Sequence, residues 1–265
     1  MTMPTVQEIC DFLEAYAPLR LAEEWDNVGL LVGDAARPVG RMMTCLTVTP
    51  STVDEAVANR AEMIVTHHPF PFRPLSRITA DDTVGHMLLR LVEASVALYS
   101  PHTAFDSAGR GINQRLAEGL QLQDIRPLTP LPDDPDSLGS GRYGDLTESL
   151  SLSELGEIVK RMLSVPGLHI VGQPDRRIDR VAVGCGSAGQ FLDAARSAGC
   201  QLLVTGETGF HTCLAAAAAD VSLLLPGHYA SERFAIEALA ADIQRHFPAA
   251  QIWASTDESD PLAWM

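Results

Sequence analysis

Residues 44–68, "TCLTVTPSTVDEAVANRAEMIVTHH", and residues 181–207, "VAVGCGSAGQFLDAARSAGCQLLVTGE", follow one grammar. Each opens on an apolar run, passes through apolar residues at helical spacing, and returns to a second apolar run ending in Val-Thr. In the first copy "MMTCLTVTP" reads as a strand, "STVDEAVANRA" as a helix opened by Ser51 with acids in its first turn, and "EMIVT" as a second strand. In the second copy "RVAVGC", "SAGQFLDAARSAG" and "CQLLVTG" repeat the order. A further helix and a strand running into a histidine follow each copy, as "LYSPHTAFD" (98–106) and "LLPGHYASE" (224–232). Both histidines have an acid four places on: His102 with Asp106, and His228 with Glu232. Alternating strands and helices of this kind build an α/β fold with a largely parallel sheet. The repetition makes it two pseudo-symmetric α/β lobes from an internal duplication.

The remaining pattern fits that frame. Thr5 and Glu8 form a capping-box pattern with Ile9, Phe12 and Leu13 on the inner face of a first helix. "WDNVGLLVG" (25–33) reads as a turn at Asp26-Asn27 and a short strand, "DTVGHMLLRLVEAS" as a helix, "LSELGEIVKRML" as a helix begun near Ser151 or Ser153, and "SERFAIEALAADIQRHF" as the last helix. The stretch 126–146, "RPLTPLPDDPDSLGSGRYGDL", is rich in proline, glycine and aspartate and reads as a linker or domain-boundary loop. The expected lobes are residues 1–125 with 226–265, carrying the site, and residues 126–225.

Composition narrows the function. Hydrophobic residues make up 46% and charged residues 20% of 265 positions, enough for a proper core. Nineteen basic residues against 34 acidic ones leave a net charge of −15. That field repels nucleic acid and anionic membranes and attracts cations. The cysteines (Cys10, Cys45, Cys185, Cys200, Cys213) form no CxxC pair and sit mostly in apolar runs, so they read as buried thiols. The N-terminal stretch lacks a signal-peptide pattern, and no run reaches the ~18–20 apolar residues of a membrane span. A cytoplasmic protein is expected.

Candidate chemistry gathers at the ends of predicted strands. "VTHHPF" (65–70) puts two imidazoles side by side where a strand closes. Neighbouring strand residues point to opposite faces, so His67 and His68 are expected to diverge and to address two neighbouring ions. With His102, Asp106, His228 and Glu232 they form an imidazole and carboxylate set suited to divalent metal. In open α/β sheets such loops at the carboxyl ends of strands line the ligand crevice. His86, His169 and His246 have no such partners and read as structural.

"WDNVGLLVG", "VTHHPF", "HTAFD", "GINQRLAEGL", "GSGRYGDL", "VTGETGFH" and "GHYASERF" together resemble the Nif-three-like dinuclear metal-centre family, the type 2 homologues of GTP cyclohydrolase I. The likeness runs from about Pro18 to the C-terminus and matches the short form without an inserted domain. It implies a Nif-three-like fold and two divalent ions per chain, and the imidazole and carboxylate donors suit zinc, iron, manganese and cobalt alike. It places His67 and His228 on one ion, His68 and Asp106 on the other, and Glu232 between them. It also implies a toroidal homohexamer. The sequence departs from the family at Thr212, where an acid commonly follows the histidine, and at Leu31, where a polar residue is common.

The function expected on that basis is hydrolysis by metal-activated water, with GTP ring opening as the reaction the resemblance suggests and a nucleotide-like small molecule as substrate. His102 and His211 are the candidate proton carriers. The alternatives are a metallohydrolase of another phosphoester or nucleotide, and a metal-binding scaffold or metal-handling protein without turnover. No Walker-type phosphate loop is present, and "GCGSAG" (184–189) reads as a tight connection before a phosphate cradle. Arg73, Arg77, Arg142 and Arg233 are candidates for local positive charge. Trp25 reads as a packing residue, with base stacking as the second reading.

Overall fold

The computed structural model describes residues 3–265. Helix α1 (Val6–Tyr16) is followed by strands β1 (Gly29–Val32) and β2 (Arg41–Cys45), α2 (Pro50–Ala58), β3 (Met63–Thr66), α3 (Thr83–Glu93), β4 (Ala97–Ser100), α4 (His102–Ser107) and α5 (Ile112–Gly119). Strands β5 (Gln123–Arg126), β6 (Thr129–Pro130), β7 (Gly139–Ser140) and β8 (Arg142–Ser151) lead to α6 (Leu152–Leu163), β9 (His169–Val171) and β10 (Arg177–Gly184). Then come α7 (Leu192–Ser197), β11 (Leu202–Thr205), α8 (Phe210–Ala218), β12 (Ser222–Leu225), α9 (His228–His246) and β13 (Gln251–Ala254).

Helix starts follow local chemistry. The Thr5 hydroxyl accepts from Glu8 N–H while the Glu8 carboxylate takes the Thr5 N–H, the reciprocal pair anticipated for α1. Ser151 caps α6 in the same way with Glu154. Helix α2 differs from expectation: Thr49, not Ser51, is its cap, and Pro50 occupies the first turn, where its missing N–H costs nothing.

The chain forms two compact units, Met1–Phe105 with Ala235–Ser259 and Asp106–Phe234 with Asp260–Met265. Two of these boundaries fall inside α4 and α9 and the third at 259/260, whereas the sequence suggests divisions at 125/126 and 225/226. On this division Asp106, His228 and Glu232 belong to the second unit and His67, His68 and His102 to the first.

The first unit holds a five-stranded sheet in the order β1-β4-β3-β2-β13. Strands β2, β3, β4 and β13 are parallel, and β1 runs antiparallel along β4. Its core gathers Met43, Val53, Ile64, Leu88, Leu91 and Leu98. The second unit holds a six-stranded sheet, β5-β8-β10-β11-β12-β9. Here β10, β11 and β12 are parallel, β9 runs antiparallel along β12, and β8 runs antiparallel along β10. Ala182, Leu203, Ala216 and Leu223 lie at its core. In both sheets three parallel strands carry an antiparallel edge strand beside the third, contributed by the chain just before the first. The duplication therefore extends to topology.

The segment 126–146 is not a boundary loop. Its prolines and glycines build the β6–β7 hairpin, and "RYGDLTESLS" is the ten-residue strand β8. A Cβ on Gly139 would stand 2.2 Å from the Thr129 carbonyl oxygen, so glycine is required for the hairpin to close. Turn residues dominate the local composition and hide the strand beside them.

Candidate metal-binding residues

Two donor sets are built, one in each unit. In the first, β3 ends at Thr66 and the backbone N–H groups of His67 and His68 donate to Cys45 and Leu46 carbonyls at 3.0 and 2.9 Å. The Ser100 hydroxyl fixes the His67 carbonyl at 2.6 Å. The doublet is thus held rigidly, but beyond the strand. Strand alternation no longer governs it there, and the expected divergence does not occur: the two rings lie 5.0 Å apart, tilted by 54°. His102, the first residue of α4, brings a third imidazole 5.2 Å from His67 and 5.6 Å from His68. Each ring offers a nitrogen so that all three atoms lie within 4.8 Å of one another. His67 is 1% and His102 8% exposed.

The rings are oriented by neighbours. The Thr47 hydroxyl lies 2.7 Å from His68 Nδ1, and Asp26 Oδ1 lies 2.7 Å from His102 Nδ1. Asp26 also accepts from the Thr103 N–H at 3.1 Å, from the Thr103 hydroxyl, and from the Asn27 N–H at 2.8 Å. Burial works to raise its pKa, but these hydrogen bonds, His102 foremost, outweigh it and hold the carboxyl down at about 2. His102 has φ of +26°, a costly backbone setting for a side-chain-bearing residue and one that concentrates at functional sites. Trp25 and Phe72 flank it edge-on, 5.9 and 6.2 Å away.

In the second unit His228, the first residue of α9, is gripped by two carboxylates. Glu207 Oε1 is 2.9 Å from Nδ1, and Glu232 Oε2, one helical turn on, is 3.2 Å from Nε2. The Glu232 carboxylate beside Nε2, opposed by burial and joined by Glu207, raises the imidazole to about 9. Gly186, with φ of +60°, makes room for this pair: a Cβ there would stand 2.2 Å from Glu232 Oε1 and 3.2 Å from His228 Nε2. Gly186 of "GCGSAG" therefore leaves room for the acid in the first turn of α9, beyond what a tight connection alone requires.

Asp106 receives the Cys185 thiol at 3.0 Å. Burial, then the charges of Asp106 and Glu232, push that thiol far up, so it stays protonated and donates. Asn113 ties the two positions together, donating to the Asp106 carbonyl at 3.1 Å and accepting the Cys185 N–H at 2.7 Å.

The other predicted residues have different surroundings. His211 sits exposed on α8 beside Phe210. Among the described residues it belongs to neither donor set. Arg142 is buried, 1% exposed, and its guanidinium donates to the carbonyls of Ser107, Ala108, Gly139 and Gly141 and to Gln114 Oε1. It is a structural clamp, not a source of charge for a ligand. Arg233 is likewise buried beside Tyr229, while Arg73 and Arg77 are exposed. Trp25 is 63% exposed, so it is no core residue; it packs edge-on against His102 and beside the ring of Phe72.

Asp26, Thr47, Glu207, Asn113, Cys185 and Gly186 do not stand out in the sequence as functional positions. Asp26, Asn113 and Glu207 lie within the motifs "WDNVGLLVG", "GINQRLAEGL" and "VTGETGFH", which is their one available signal.

No helix among the described residues is long and apolar enough to cross a membrane. Residues 4–261 match the model of the Duf34/NIF3 (NGG1p interacting factor 3) family. A GTP cyclohydrolase 1 type 2 homolog of Clostridium acetobutylicum is 33% identical over 227 residues, 86% of this chain and 85% of that one. NIF3-like protein 1 of Drosophila melanogaster is 34% identical over 225 residues, covering 83% and 75%. The crystal structure of a Bacillus cereus protein related to NIF3 superposes with a TM-score of 0.91 over 100% of both chains, at 23% identity. With the duplicated α/β sheets and the paired donor sets, these matches establish that the chain belongs to the DUF34/NIF3 family.

Proposed function

We propose that this protein is a metal-dependent hydrolase holding two divalent ions on His67, His68, Asp106, His228 and Glu232. The observation that carries the reading is the gathering of three imidazole nitrogens within 4.8 Å, with two of the rings buried. Burying polar rings together costs desolvation that apolar side chains would avoid. A metal ion recovers that cost, and the Thr47 hydroxyl beside His68 and the Asp26 carboxylate beside His102 resemble the outer hydrogen bonds that orient metal ligands.

His67 and His228 are assigned to one ion, His68 and Asp106 to the other, and Glu232 to both. Imidazole and carboxylate suit zinc, iron, manganese or cobalt. Such ions supply a water acidified to near-neutral pKa and a Lewis acid for the substrate. The chain itself contributes orientation: Thr47 holds the His68 ring, Glu207 the His228 ring, and the Cys185 thiol and Asn113 the position of Asp106. His102 is the candidate proton carrier. His211, exposed on its helix, is the weaker one. The relatives' name suggests GTP as substrate and its ring opening as the reaction, and the likeness of the motifs, not that name, is the ground for proposing a cytoplasmic homohexamer.

Elemental analysis of the purified native particle is expected to give about two divalent ions per chain. Glu232→Ala should lose both and Asp106→Ala one; equal occupancy in the two variants removes the bridging assignment. Formate release from GTP, and turnover of a nucleotide and phosphoester panel, should depend on metal and fall in His67→Ala. A fully loaded protein that turns over nothing in the panel would instead be a metal-handling or scaffold protein.

A further inference from the structure

We infer that Asp26 is the positioning residue of His102: it fixes the neutral ring in the tautomer with hydrogen on Nδ1, so that Nε2 carries the lone pair. Three observations converge on this. Asp26 Oδ1 stands 2.7 Å from His102 Nδ1, and the Asp26 side chain is fully buried. Its other hydrogen bonds come from donors: the Asn27 N–H, the Thr103 N–H and the Thr103 hydroxyl. A carboxylate surrounded by donors is an acceptor, so the hydrogen in the Asp26–His102 contact resides on the ring. One nitrogen of this ring lies within 4.8 Å of one each from His67 and His68, and with Nδ1 engaged by Asp26 the nitrogen left for a proton or a ligand is Nε2.

The surroundings leave the ring little freedom. His102 opens α4 at a positive φ, a strained setting that persists only because the surrounding structure imposes it, and Trp25 and Phe72 wall it edge-on. Trp25 and Asp26 are adjacent, so one dipeptide supplies both a wall and the anchor. The tautomer has a direct chemical meaning. Nε2 with its lone pair can accept a proton or ligate an ion, while the opposite tautomer presents an N–H to the same space and can do neither. That consequence rests on the hydrolase reading; the tautomer itself does not.

The test is a long-range 1H–15N correlation spectrum of the full-length, chelator-treated protein, recorded above the titration of its histidines. Wild type should show His102 as the single Nδ1–H tautomer, and Asp26→Ala should lose that pattern for a mixture or for Nε2–H. An Nε2–H ring in wild type overturns the assignment, and so does an Asp26→Ala ring that remains wholly Nδ1–H. Should Asp26→Ala fail to fold, the wild-type spectrum alone decides. Metal content and turnover, measured separately on wild type, report on the hydrolase reading without touching this one.

Discussion

His102 and His228 occupy the same place in their units and live in different surroundings. Each opens the helix after the third parallel strand, each has its Nδ1 beside a carboxylate from another loop, and each is followed four residues on by an acid. His102 is buried among rings, with two further imidazoles beside it. His228, with 36% of its side chain exposed, lies between two carboxylates. At the end of the second parallel strand the first unit has His67-His68 and the second has Gly206-Glu207. The duplicated scaffold thus presents an imidazole-rich set from one copy and a carboxylate-rich set from the other. Sheet topology was retained while the donors at the strand ends diverged, because loop residues at those ends carry little of the fold's stability.

The units also differ in how each is stapled. The second is clamped by a buried cation, Arg142, on four carbonyls and an amide oxygen, and burial lowers its pKa to about 10. The first is clamped by an anion. Glu55 accepts from the Ser255 hydroxyl, the Trp253 indole and the N–H groups of Thr256 and Asp257.

Breaking the cationic clamp should have the largest effect. Arg142→Met strands several buried carbonyls and is expected to cost more than about 3 kcal/mol in urea unfolding. A loss under about 1 kcal/mol would mean water replaces the guanidinium.

Gly186→Ala comes next and probes the carboxylate-rich set. It should weaken divalent-metal binding by roughly 10–100-fold, as loss of ligand orientation does. Gly199→Ala is the control: its φ of +75° is similarly strained, but the nearest atom to the new Cβ is 3.8 Å away. It should lower stability by about 1 kcal/mol and leave metal binding intact. Equal metal loss in both would assign the effect to backbone strain, not to Glu232.

Glu55→Gln should destabilise by about 1–2 kcal/mol, and its pH dependence gives a sharper reading. Burial tends to raise the Glu55 pKa, but the donors from Ser255, Thr256, Asp257 and Trp253 prevail and lower it. The folded state therefore binds this proton less readily than the unfolded chain. The stabilisation is complete above the unfolded pKa and disappears as pH falls through the depressed folded value. The stability gap between wild type and Glu55→Gln should narrow over that acid range; a pH-independent gap rejects the assignment.

Trp25→Ala should matter least to the fold, within about 0.5 kcal/mol, because the side chain is mostly exposed. A nucleoside titration followed by tryptophan fluorescence would show whether its ring serves a ligand instead.

The two units also differ in how openly their sequences display them. The paired strand-helix-strand runs, the capping box at Thr5, the helix start near Ser151, and the His-x-x-x-acid pairs are local or periodic, so the chain alone displays them. Residues 126–146 mislead because Gly139 and Gly141 mark a hairpin whose neighbouring strand β8 has only weak alternation. Arg142 reads as available charge because a side chain's burial is invisible in its sequence neighbours. Trp25 reads as packing because an aromatic beside a turn usually finds a core.

What the sequence determined alone was the periodic part: an α/β chain, duplicated, with histidines and acids after its strands. Residue spacing dictates which face or end of an element a side chain occupies, and that is a property of the backbone repeat. What only the tertiary structure decided was partnership. The convergence of His67, His68 and His102, the grip of Asp26 on His102 across 76 residues, and the room Gly186 leaves for Glu232 all join segments distant in the chain. Desolvation and hydrogen-bond geometry act between side chains in space, and sequence separation does not encode them.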